Sequence, residues 1–161
     1  MSLWDFIKSV FDHNPLPVAS PKVQPLPTDN FSDIEIVART LYGEARGEST
    51  DGKIGIANVI IRRAKVGGWW GSNLRAVCLA KEQFSCWNPS DPNRKLLLGQ
   101  IDDSAYKECL SIALRAVAGQ ITDNTYKADS YCVTGTNPYW AKNISPCAVI
   151  GKHSFYRTIT S

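Results

Sequence analysis

One short segment of the chain carries the residue types that acid–base chemistry needs. Residues 42–48 read Tyr-Gly-Glu-Ala-Arg-Gly-Glu and end an amphipathic stretch whose apolar stripe is Ile34, Val37, Leu41 and then Glu44. A carboxyl group that faces a packed interior loses hydration, which disfavours its charged form and lets it donate a proton near neutral pH. The spacing therefore indicates a catalytic acid at Glu44. A structural pairing of Glu44 with Arg39 or Arg46, or a solvated helix end, would explain the same pattern.

The elements that would position this segment are predicted to be helices over most of the chain and strands only near its C-terminal end. Helical patterns cover residues 31–45, 52–64, 73–80 and 102–119, while residues 82–87 read as a brief extended segment and 88–93 as a loop. After residue 125 the pattern is strand-like, at 126–133 and again at 147–158. Helices first and a small antiparallel sheet later predict an α+β fold.

Length and charge limit the classes of protein to consider. At 161 residues the chain is long enough for one domain with a buried core. Its formal net charge of +3 fits an anionic polymer such as cell wall or nucleic acid. No run of Lys or Arg and no nucleic-acid module is visible, so a nucleic-acid partner is not expected.

The number and spacing of the cysteines and histidines do not predict a metal site. The five cysteines never occur as CxxC, and His13 and His153 are the only histidines, so neither a metal nor another cofactor is expected. Cys132 and Cys147 flank a loop between the two strand-like segments. They could form a disulfide in an oxidising compartment or stay reduced in a cytosolic one.

The first 30 residues look like an appendage to the domain at 31–161. Residues 1–12 have helical apolar spacing, and 13–30 form a proline-punctuated linker that should run extended. The N-terminus lacks the basic and apolar regions of a signal peptide, which predicts synthesis in the cytoplasm and action on the wall after release. The single Lys8 disfavours membrane contact through residues 2–12, and docking of this helix on its own domain is the favoured alternative.

Several segments together resemble SleB-type cell wall hydrolases. The matching motifs, in chain order, lie at residues 38–48, 57–63, 83–87, 123–131, 138–141 and 150–157. The resemblance spans residues 33–158 and leaves out the N-terminal helix and linker. It implies a mainly helical domain, similar to lysozyme and lytic transglycosylases, with a small antiparallel sheet near the C-terminus.

The family resemblance also implies an activity and a set of site residues. The expected activity is cleavage of the β-1,4 bond between N-acetylmuramic acid and N-acetylglucosamine by a monomer that binds peptidoglycan glycan strands. The acid of the family motif corresponds to Glu44. The residues expected to bind substrate are Tyr42, Glu48, Gln83, Ser85, Trp87, Tyr131, Trp140, His153 and Tyr156.

Each of these residues also has a structural interpretation. Core packing is the alternative for the aromatic residues and is favoured for Phe84. Trp69 and Trp70 would form an exposed lip over the cleft or cover the core. His153 is expected to be a hydrogen-bonded structural histidine, or else a cleft residue that supports Glu44 or the substrate.

No second acid with a placement comparable to that of Glu44 is apparent. Glu48 follows one turn later, across the helix-breaking Gly47, and is expected to pair with an arginine. A single-acid site suits a lytic transglycosylase, in which the muramic 6-hydroxyl attacks the anomeric carbon and a 1,6-anhydro sugar forms. The hypothesis is that Glu44 protonates the leaving oxygen and then accepts the proton of that hydroxyl.

Three other activities compete with this hypothesis. A hydrolysing muramidase would need a water-activating group. A thiol amidase or peptidase would use Cys86 with His153 as base, but Cys86 lies on a predicted extended segment rather than at a helix N-terminus. A non-catalytic wall-binding or virion module would gain nothing from a desolvated carboxyl group. The setting is expected to be a phage endolysin, with a cellular remodelling or spore-cortex enzyme as the alternative.

Overall fold

Five α-helices precede a small sheet in the computed structural model, which describes residues 27–159 of the chain. The helices are α1 (Asp33–Ala45), α2 (Thr50–Val66), α3 (Leu74–Leu79), α4 (Pro92–Leu98) and α5 (Ser104–Val117). The strands are β1 (Ser130–Val133), β2 (Ala148–Ile150) and β3 (His153–Tyr156). Single turns of 3₁₀ helix lie at Gly68–Trp70, Ser85–Trp87 and Tyr139–Ala141. The predicted α+β class is confirmed.

Helix α1 forms the centre of the domain. It begins after Ser32, whose hydroxyl accepts the Glu35 backbone N–H while the Glu35 carboxylate accepts the Ser32 backbone N–H. This reciprocal pairing satisfies backbone donors that the first helical turn would otherwise leave free. Eight of the 13 residues of α1 are buried, and the helix packs against α2, α3, α4 and α5. A helix covered on so many sides gives its C-terminal residues a fixed position.

The fourth helix differs from the sequence-based expectation. Residues 88–93 carry two prolines and the pattern predicts a loop there, but α4 begins at Pro92 with Asp91 as its cap. The Asp91 carboxylate accepts the Asn93 backbone N–H at 2.8 Å. Proline is favoured at the first position of a helix because its missing N–H needs no partner there, so Pro92 starts α4.

The segment predicted as extended at 82–87 is also different in the structure. It forms a turn followed by the 3₁₀ helix Ser85–Trp87. The indole N–H of Trp87 donates to the Thr40 hydroxyl on α1 at 2.9 Å, and Phe84 is buried in the core as predicted. Tertiary contacts with α1 outweigh the weak local preference of this short aromatic run.

The three strands form an antiparallel sheet in the order β1-β3-β2. Strands β2 and β3 form a hairpin that turns at Gly151, whose φ of +57° lies in the left-handed region. Phe155 on β3 packs against α2 at Gly55, where a Cβ atom would come within 2.7 Å of the Phe155 ring. The missing side chain of Gly55 therefore lets the sheet approach the helices closely.

The sheet order excludes a disulfide between Cys132 and Cys147. Cys132 on β1 is paired with Ser154 of β3, and the Cys147 backbone N–H bonds to Phe155 on the other edge of β3. The two cysteines are thus separated by two strand spacings, roughly 9–10 Å. That separation exceeds the about 7 Å that a disulfide spans between Cα atoms. All five cysteines are free thiols.

The described chain begins with a turn at residues 27–30 that belongs to the domain. Thr28 is buried, and the Arg75 guanidinium on α3 donates to the backbone carbonyls of Thr28 and Phe31. The predicted helix at 1–12 and most of the linker lie outside the described residues. Within residues 27–159, no helix is both long and apolar enough to cross a membrane.

Candidate active site

Glu44 lies at the C-terminal end of α1 with each carboxyl oxygen in a hydrogen bond. Its Oε1 accepts the Cys86 backbone N–H at 3.2 Å, and its Oε2 accepts the Tyr131 hydroxyl at 3.0 Å. Glu44 is half-buried, whereas Val37 and Leu41 on the same helical stripe are fully buried. The stripe therefore leads from the buried core to the partly exposed Glu44.

The contact with Cys86 depends on a glycine one residue before the acid. A Cβ atom on Gly43 would lie 2.6 Å from the Cys86 Cβ and 2.8 Å from its Sγ, closer than side chains pack. Because Gly43 has no side chain, the 3₁₀ helix Ser85–Trp87 can rest directly on α1. This close approach brings the Cys86 N–H within reach of Glu44.

Tyr131 reaches Glu44 from the sheet. Its ring lies edge-on to His153 with centroids 5.3 Å apart and packs at 5.9 Å from Phe155. Desolvation, together with the charge of Glu44, holds the pKa of the Tyr131 phenol well above its usual range. The phenol therefore keeps its proton at neutral pH and remains a hydrogen-bond donor to Glu44.

Glu48 stays on the same side as Glu44, contrary to the effect expected of Gly47. The helical turn continues beyond α1, since the Arg46 N–H bonds to the Tyr42 carbonyl and the Glu48 N–H bonds to the Ala45 carbonyl. The expected pairing of Glu48 with an arginine is absent from the described part of the chain. Instead, its Oε2 accepts the Lys152 backbone N–H at 3.1 Å, and its Oε1 lies 4.0 Å from His153 Nδ1.

Two surface depressions meet at the Glu44–Tyr131 hydrogen bond. The first has a volume of about 360 Å³ and is lined by residues 43–48 together with Asn93 and Lys152. The second, also about 360 Å³, is lined by Arg63, Trp69, Glu82, Gln83, Ser130, Tyr131, Trp140 and Thr158. Glu44 lines the first and its hydrogen-bond partner Tyr131 lines the second, so the two depressions are neighbours, and we refer to them together as the groove. We call these the Glu48 side and the Trp140 side of the groove.

The Trp140 side has the flat apolar surfaces that sugar rings stack on. Trp69 is 72% exposed and Trp140 is 42% exposed, while Trp70 is buried in the core. Tyr156 is buried and meets the Trp140 ring edge-on at 5.3 Å, so it supports Trp140 from below. Gln83 lines this side as well, and its side-chain oxygen accepts an N–H of Arg63 at 3.2 Å.

Besides the buried Tyr156 and His153, three more residues expected to bind substrate line neither depression. Tyr42 is buried on the side of α1 that faces α5, where its hydroxyl donates to the Asp103 carboxylate at 2.5 Å. Trp87 is buried through its contact with Thr40. Ser85 is exposed next to Cys86. Tyr42 and Trp87 sit under the site as packing residues because their helical positions turn them towards the core.

Three polar residues that line the groove were not predicted from the sequence, namely Arg63, Lys152 and Asn93. Arg63 lies below the Trp140 side, where it donates to the Asp129 carbonyl as well as to Gln83. Lys152 and Asn93 line the Glu48 side, and Asn93 accepts an N–H of Arg46 at 2.9 Å. Arg63 and Lys152 fall within the family-like motifs, which was the available signal. Asn93 lies on the unexpected helix α4, which gave no signal.

The surroundings of Cys86 do not favour a thiol nucleophile. Cys86 is 1% exposed, and desolvation, with the nearby Glu44 charge, raises the pKa of its thiol far above the usual range. The reactive form of a cysteine is the thiolate, which such an environment disfavours. As for metals, residues 27–159 contain no group of three or more His, Cys, Asp or Glu side chains placed to hold an ion.

Comparisons with known proteins bear on the family and the fold. The family model described as cell wall hydrolase matches residues 47–156, a range that begins three residues after Glu44 and includes Glu48, Tyr131 and His153. A comparison with curated protein sequences gives no match.

Two solved structures have a similar fold. One is the catalytic domain of the Bacillus cereus SleB protein, which is 23% identical, with a TM-score of 0.62 over 82% of this chain and 97% of that chain. The other is the catalytic domain of the germination-specific lytic transglycosylase SleB from Bacillus anthracis. It is also 23% identical, with a TM-score of 0.61 over 79% of this chain and 97% of that chain.

Proposed function

The chain belongs to the cell wall hydrolase family, and on that basis we propose that it is a lytic transglycosylase that uses Glu44 as general acid on peptidoglycan. The bond cleaved is the β-1,4 linkage from N-acetylmuramic acid to N-acetylglucosamine. The observation that carries the proposal is the position of Glu44 in the groove. It is the carboxyl group at the meeting point of the two depressions, held by the Cys86 N–H and the Tyr131 hydroxyl.

The reaction requires one proton to be donated and one to be removed. Glu44 gives its proton to the glycosidic oxygen as the bond from that oxygen to the muramic anomeric carbon breaks. The muramic 6-hydroxyl oxygen bonds to the anomeric carbon, which forms the 1,6-anhydro ring, and its proton passes to a base. In a single-acid mechanism the newly ionised Glu44 is that base. The similar Bacillus anthracis protein is described as a lytic transglycosylase, which supports this reaction type.

The two sides of the groove suit sugars on either side of the scissile bond. The exposed rings of Trp69 and Trp140 offer stacking surfaces, and Gln83 offers an amide for hydroxyl or acetamido groups. A muramidase that hydrolyses the same bond is the second candidate. Glu48 favours it, because a second carboxylate in the groove could activate water.

Digestion of purified peptidoglycan followed by mass spectrometry of the soluble muropeptides tests the proposal. Fragments lighter by one water and without a reducible muramic end are expected. Reducible muramic ends would replace the proposal by the muramidase, and cleaved peptides with intact glycan would overturn both. The Glu44→Gln variant should lose at least about 100-fold in turnover, because a positioned general acid contributes about 10²–10⁴-fold. Retained activity in that variant would exclude Glu44 as the acid.

We also propose a setting for the activity. The enzyme is made in the cytoplasm, reaches the wall after release and acts as a monomer on glycan strands, as a phage endolysin does. The net charge of +3 is compatible with an anionic wall. Addition of the pure protein to intact and to membrane-permeabilised bacteria tests the setting. Lysis of both alike would show that the enzyme needs no release from inside the cell.

A further inference from the structure

The loop between α5 and β1 holds two residues in a backbone conformation that their side chains disfavour. Tyr126 has a φ of +55° and Lys127 a φ of +65°, so both lie in the left-handed region. Glycine adopts this region freely, whereas a bulky side chain in it strains the backbone. Among residues 27–159, Glu82 is the one other non-glycine residue with a positive φ, and it lines the Trp140 side of the groove. Strain of this kind is concentrated at functional sites, which makes the loop a candidate for one.

The loop keeps this conformation through anchors that do not involve the two side chains. The Asp123 carboxylate accepts the Thr125 backbone N–H at 2.8 Å and the Lys127 backbone N–H at 2.7 Å. Asn58 on α2 donates its side-chain N–H to a carbonyl of the loop at 3.0 Å. In the described part of the chain, no hydrogen bond or ion pair joins the Tyr126 hydroxyl or the Lys127 ammonium group to the rest of the domain. A glycine at either position would therefore leave these anchors in place.

Lys127 lines a small depression between the loop and α2, which we call the loop pocket. Its volume is about 210 Å³, its cations are Arg62, Lys65 and Lys127, and its carboxylate is that of Asp123. Lys65 and Lys127 are both exposed, and no carboxylate of residues 27–159 lies within ion-pair distance of either ammonium group. Because three cations face one carboxylate, whose oxygens already accept backbone N–H groups, the pocket has a positive potential.

The loop pocket is separate from the groove that contains Glu44. None of its lining residues lines either depression of the groove. Consecutive residues of α2 divide between the two places, since Arg62 lines the loop pocket and Arg63 lines the Trp140 side of the groove. A ligand can therefore bind in the loop pocket without filling the groove.

Tyr126, next to Lys127 in the chain, adds an aromatic surface to these cations. The residue is 70% exposed. An exposed ring beside cations suits an acidic glycan, because a sugar can stack on the ring while ammonium groups bind a carboxylate or phosphate. A single-stranded nucleic acid offers the same combination of rings and phosphates. Membership of the cell wall hydrolase family favours the glycan.

We propose that Tyr126, Lys127 and Lys65 form a second binding site, for an acidic glycan of the cell wall, that holds the enzyme on its insoluble substrate. The inference rests on the proposed function only for the kind of ligand, since binding at this site requires no bond to be cleaved. The anionic groups of such a glycan are the carboxylates of the peptides on peptidoglycan or the phosphodiesters of polymers attached to it. The experiment below separates these two sources.

Co-sedimentation of the full-length protein with insoluble wall sacculi tests the site, in the Glu44→Gln background so that the wall is not degraded. Tyr126→Gly and Lys127→Gly should each weaken binding about three- to tenfold, as the loss of one contact does. Their melting temperatures should be no lower than that of the parent, because relief of backbone strain offsets the chain entropy that glycine adds to the unfolded state. With Glu44 restored, kcat on soluble peptidoglycan fragments should be unchanged.

Two further variants separate a specific site from the general effect of charge. Lys65→Gln lies on α2, where the backbone is unstrained, and it should weaken binding by a factor similar to that of Lys127→Gly. Lys107→Gln removes one charge from an exposed lysine of α5 and is the matched control, which should bind like the parent. Equal losses in Lys65→Gln and Lys107→Gln would reduce the effect to net charge and overturn the site.

Two results with the double variant Tyr126→Gly/Lys127→Gly would also overturn the site. One is binding as tight as that of the parent. The other is a melting temperature below that of the parent, because the loop would then need these side chains for stability. If the active protein cleaves no glycan, the proposed function fails alone, and co-sedimentation still decides whether the second site exists.

The identity of the anion follows from the choice of sacculi. Treatment with hydrofluoric acid removes polymers joined through phosphodiesters. Weaker binding to treated than to untreated sacculi would assign the site to those phosphates, and equal binding would assign it to the peptide carboxylates. Tighter binding to single-stranded DNA than to either kind of sacculi would overturn the glycan assignment in favour of a nucleic acid.

Discussion

At the scale of single residues, the site depends on how the carboxyl group of Glu44 is held. One oxygen accepts a backbone N–H and the other accepts a phenol, so the side chain has few orientations left. A fixed acid is worth more than a mobile one because its orientation needs no adjustment during the reaction. The contribution of the phenol can be measured separately, since its ring and its hydroxyl have different roles.

Removal of the Tyr131 hydroxyl should slow the reaction without unfolding the protein. Tyr131→Phe keeps the ring packed against His153 and Phe155 but deletes the hydrogen bond to Glu44. A hydrogen bond to a charged group contributes about 1.5–3 kcal/mol, so kcat should fall about 10- to 100-fold. Steady-state kinetics and a thermal melt together check this prediction. An unchanged kcat would mean that the Cys86 N–H alone orients the acid.

Cys86→Ala should retain most of the wall-degrading activity. The backbone N–H that bonds to Glu44 remains, and the thiol is buried with a pKa raised by desolvation. Loss of one buried sulfur should lower the free energy of unfolding by about 1–2 kcal/mol, measured by urea denaturation. Complete loss of activity in a folded variant would restore the thiol mechanism.

At the scale of elements, the site is an assembly of three chain segments. Helix α1 carries Glu44, the 3₁₀ helix Ser85–Trp87 supplies a backbone donor, and strand β1 supplies Tyr131. Two close contacts in this part of the fold depend on glycines, because a larger side chain would prevent them. Gly43 allows the contact between the first two, and Gly55 allows the sheet to approach the helices.

Gly43→Ala should therefore damage both stability and activity. The added methyl group would lie 2.6 Å from Cys86 Cβ, which forces the 3₁₀ helix away from α1 and withdraws the N–H from Glu44. Overpacking of this kind costs about 1–3 kcal/mol of unfolding free energy. Gly47→Ala is the matched control, because a Cβ atom there meets nothing within 4 Å. The melting temperature and kcat of both variants are measured. Equal values for Gly43→Ala and Gly47→Ala would show that the contact between Gly43 and Cys86 is not needed for stability or activity.

At the scale of the whole molecule, the residues that line the two depressions lie within residues 27–159, the part of the chain that the structure describes. The turn at 27–30 belongs to this unit, since Thr28 is buried and bonded to Arg75. A chain that begins at Pro27 should therefore keep the fold and the kcat on soluble peptidoglycan fragments. A chain that begins at Ser32 should melt at a lower temperature, because it lacks both carbonyls that Arg75 binds. Differential scanning calorimetry of both chains tests this boundary, and equal melting temperatures would disprove it.

The sequence by itself predicted Glu44 as the residue for acid chemistry and helices followed by a small sheet. The apolar stripe of α1 led to Glu44, because helical periodicity is a local property that no distant contact changes. Helix caps such as Ser32 and Asp91 are also local features of the sequence. The pair Asp91-Pro92 is typical of a helix start, because proline is favoured at the first helical position, and it is the local signal for α4. The helices-then-sheet pattern indicated the α+β class in the same way.

The tertiary structure alone decided which residues meet Glu44. Tyr131 lies 87 positions further along the chain and Cys86 lies 42 positions away, and no periodicity connects them. Only the packed structure shows that Glu48 faces Lys152 and His153 rather than an arginine, and that β3 separates Cys132 from Cys147. Contacts between distant segments depend on how glycines and core side chains let elements approach. That depends on the whole fold rather than on any local stretch of sequence.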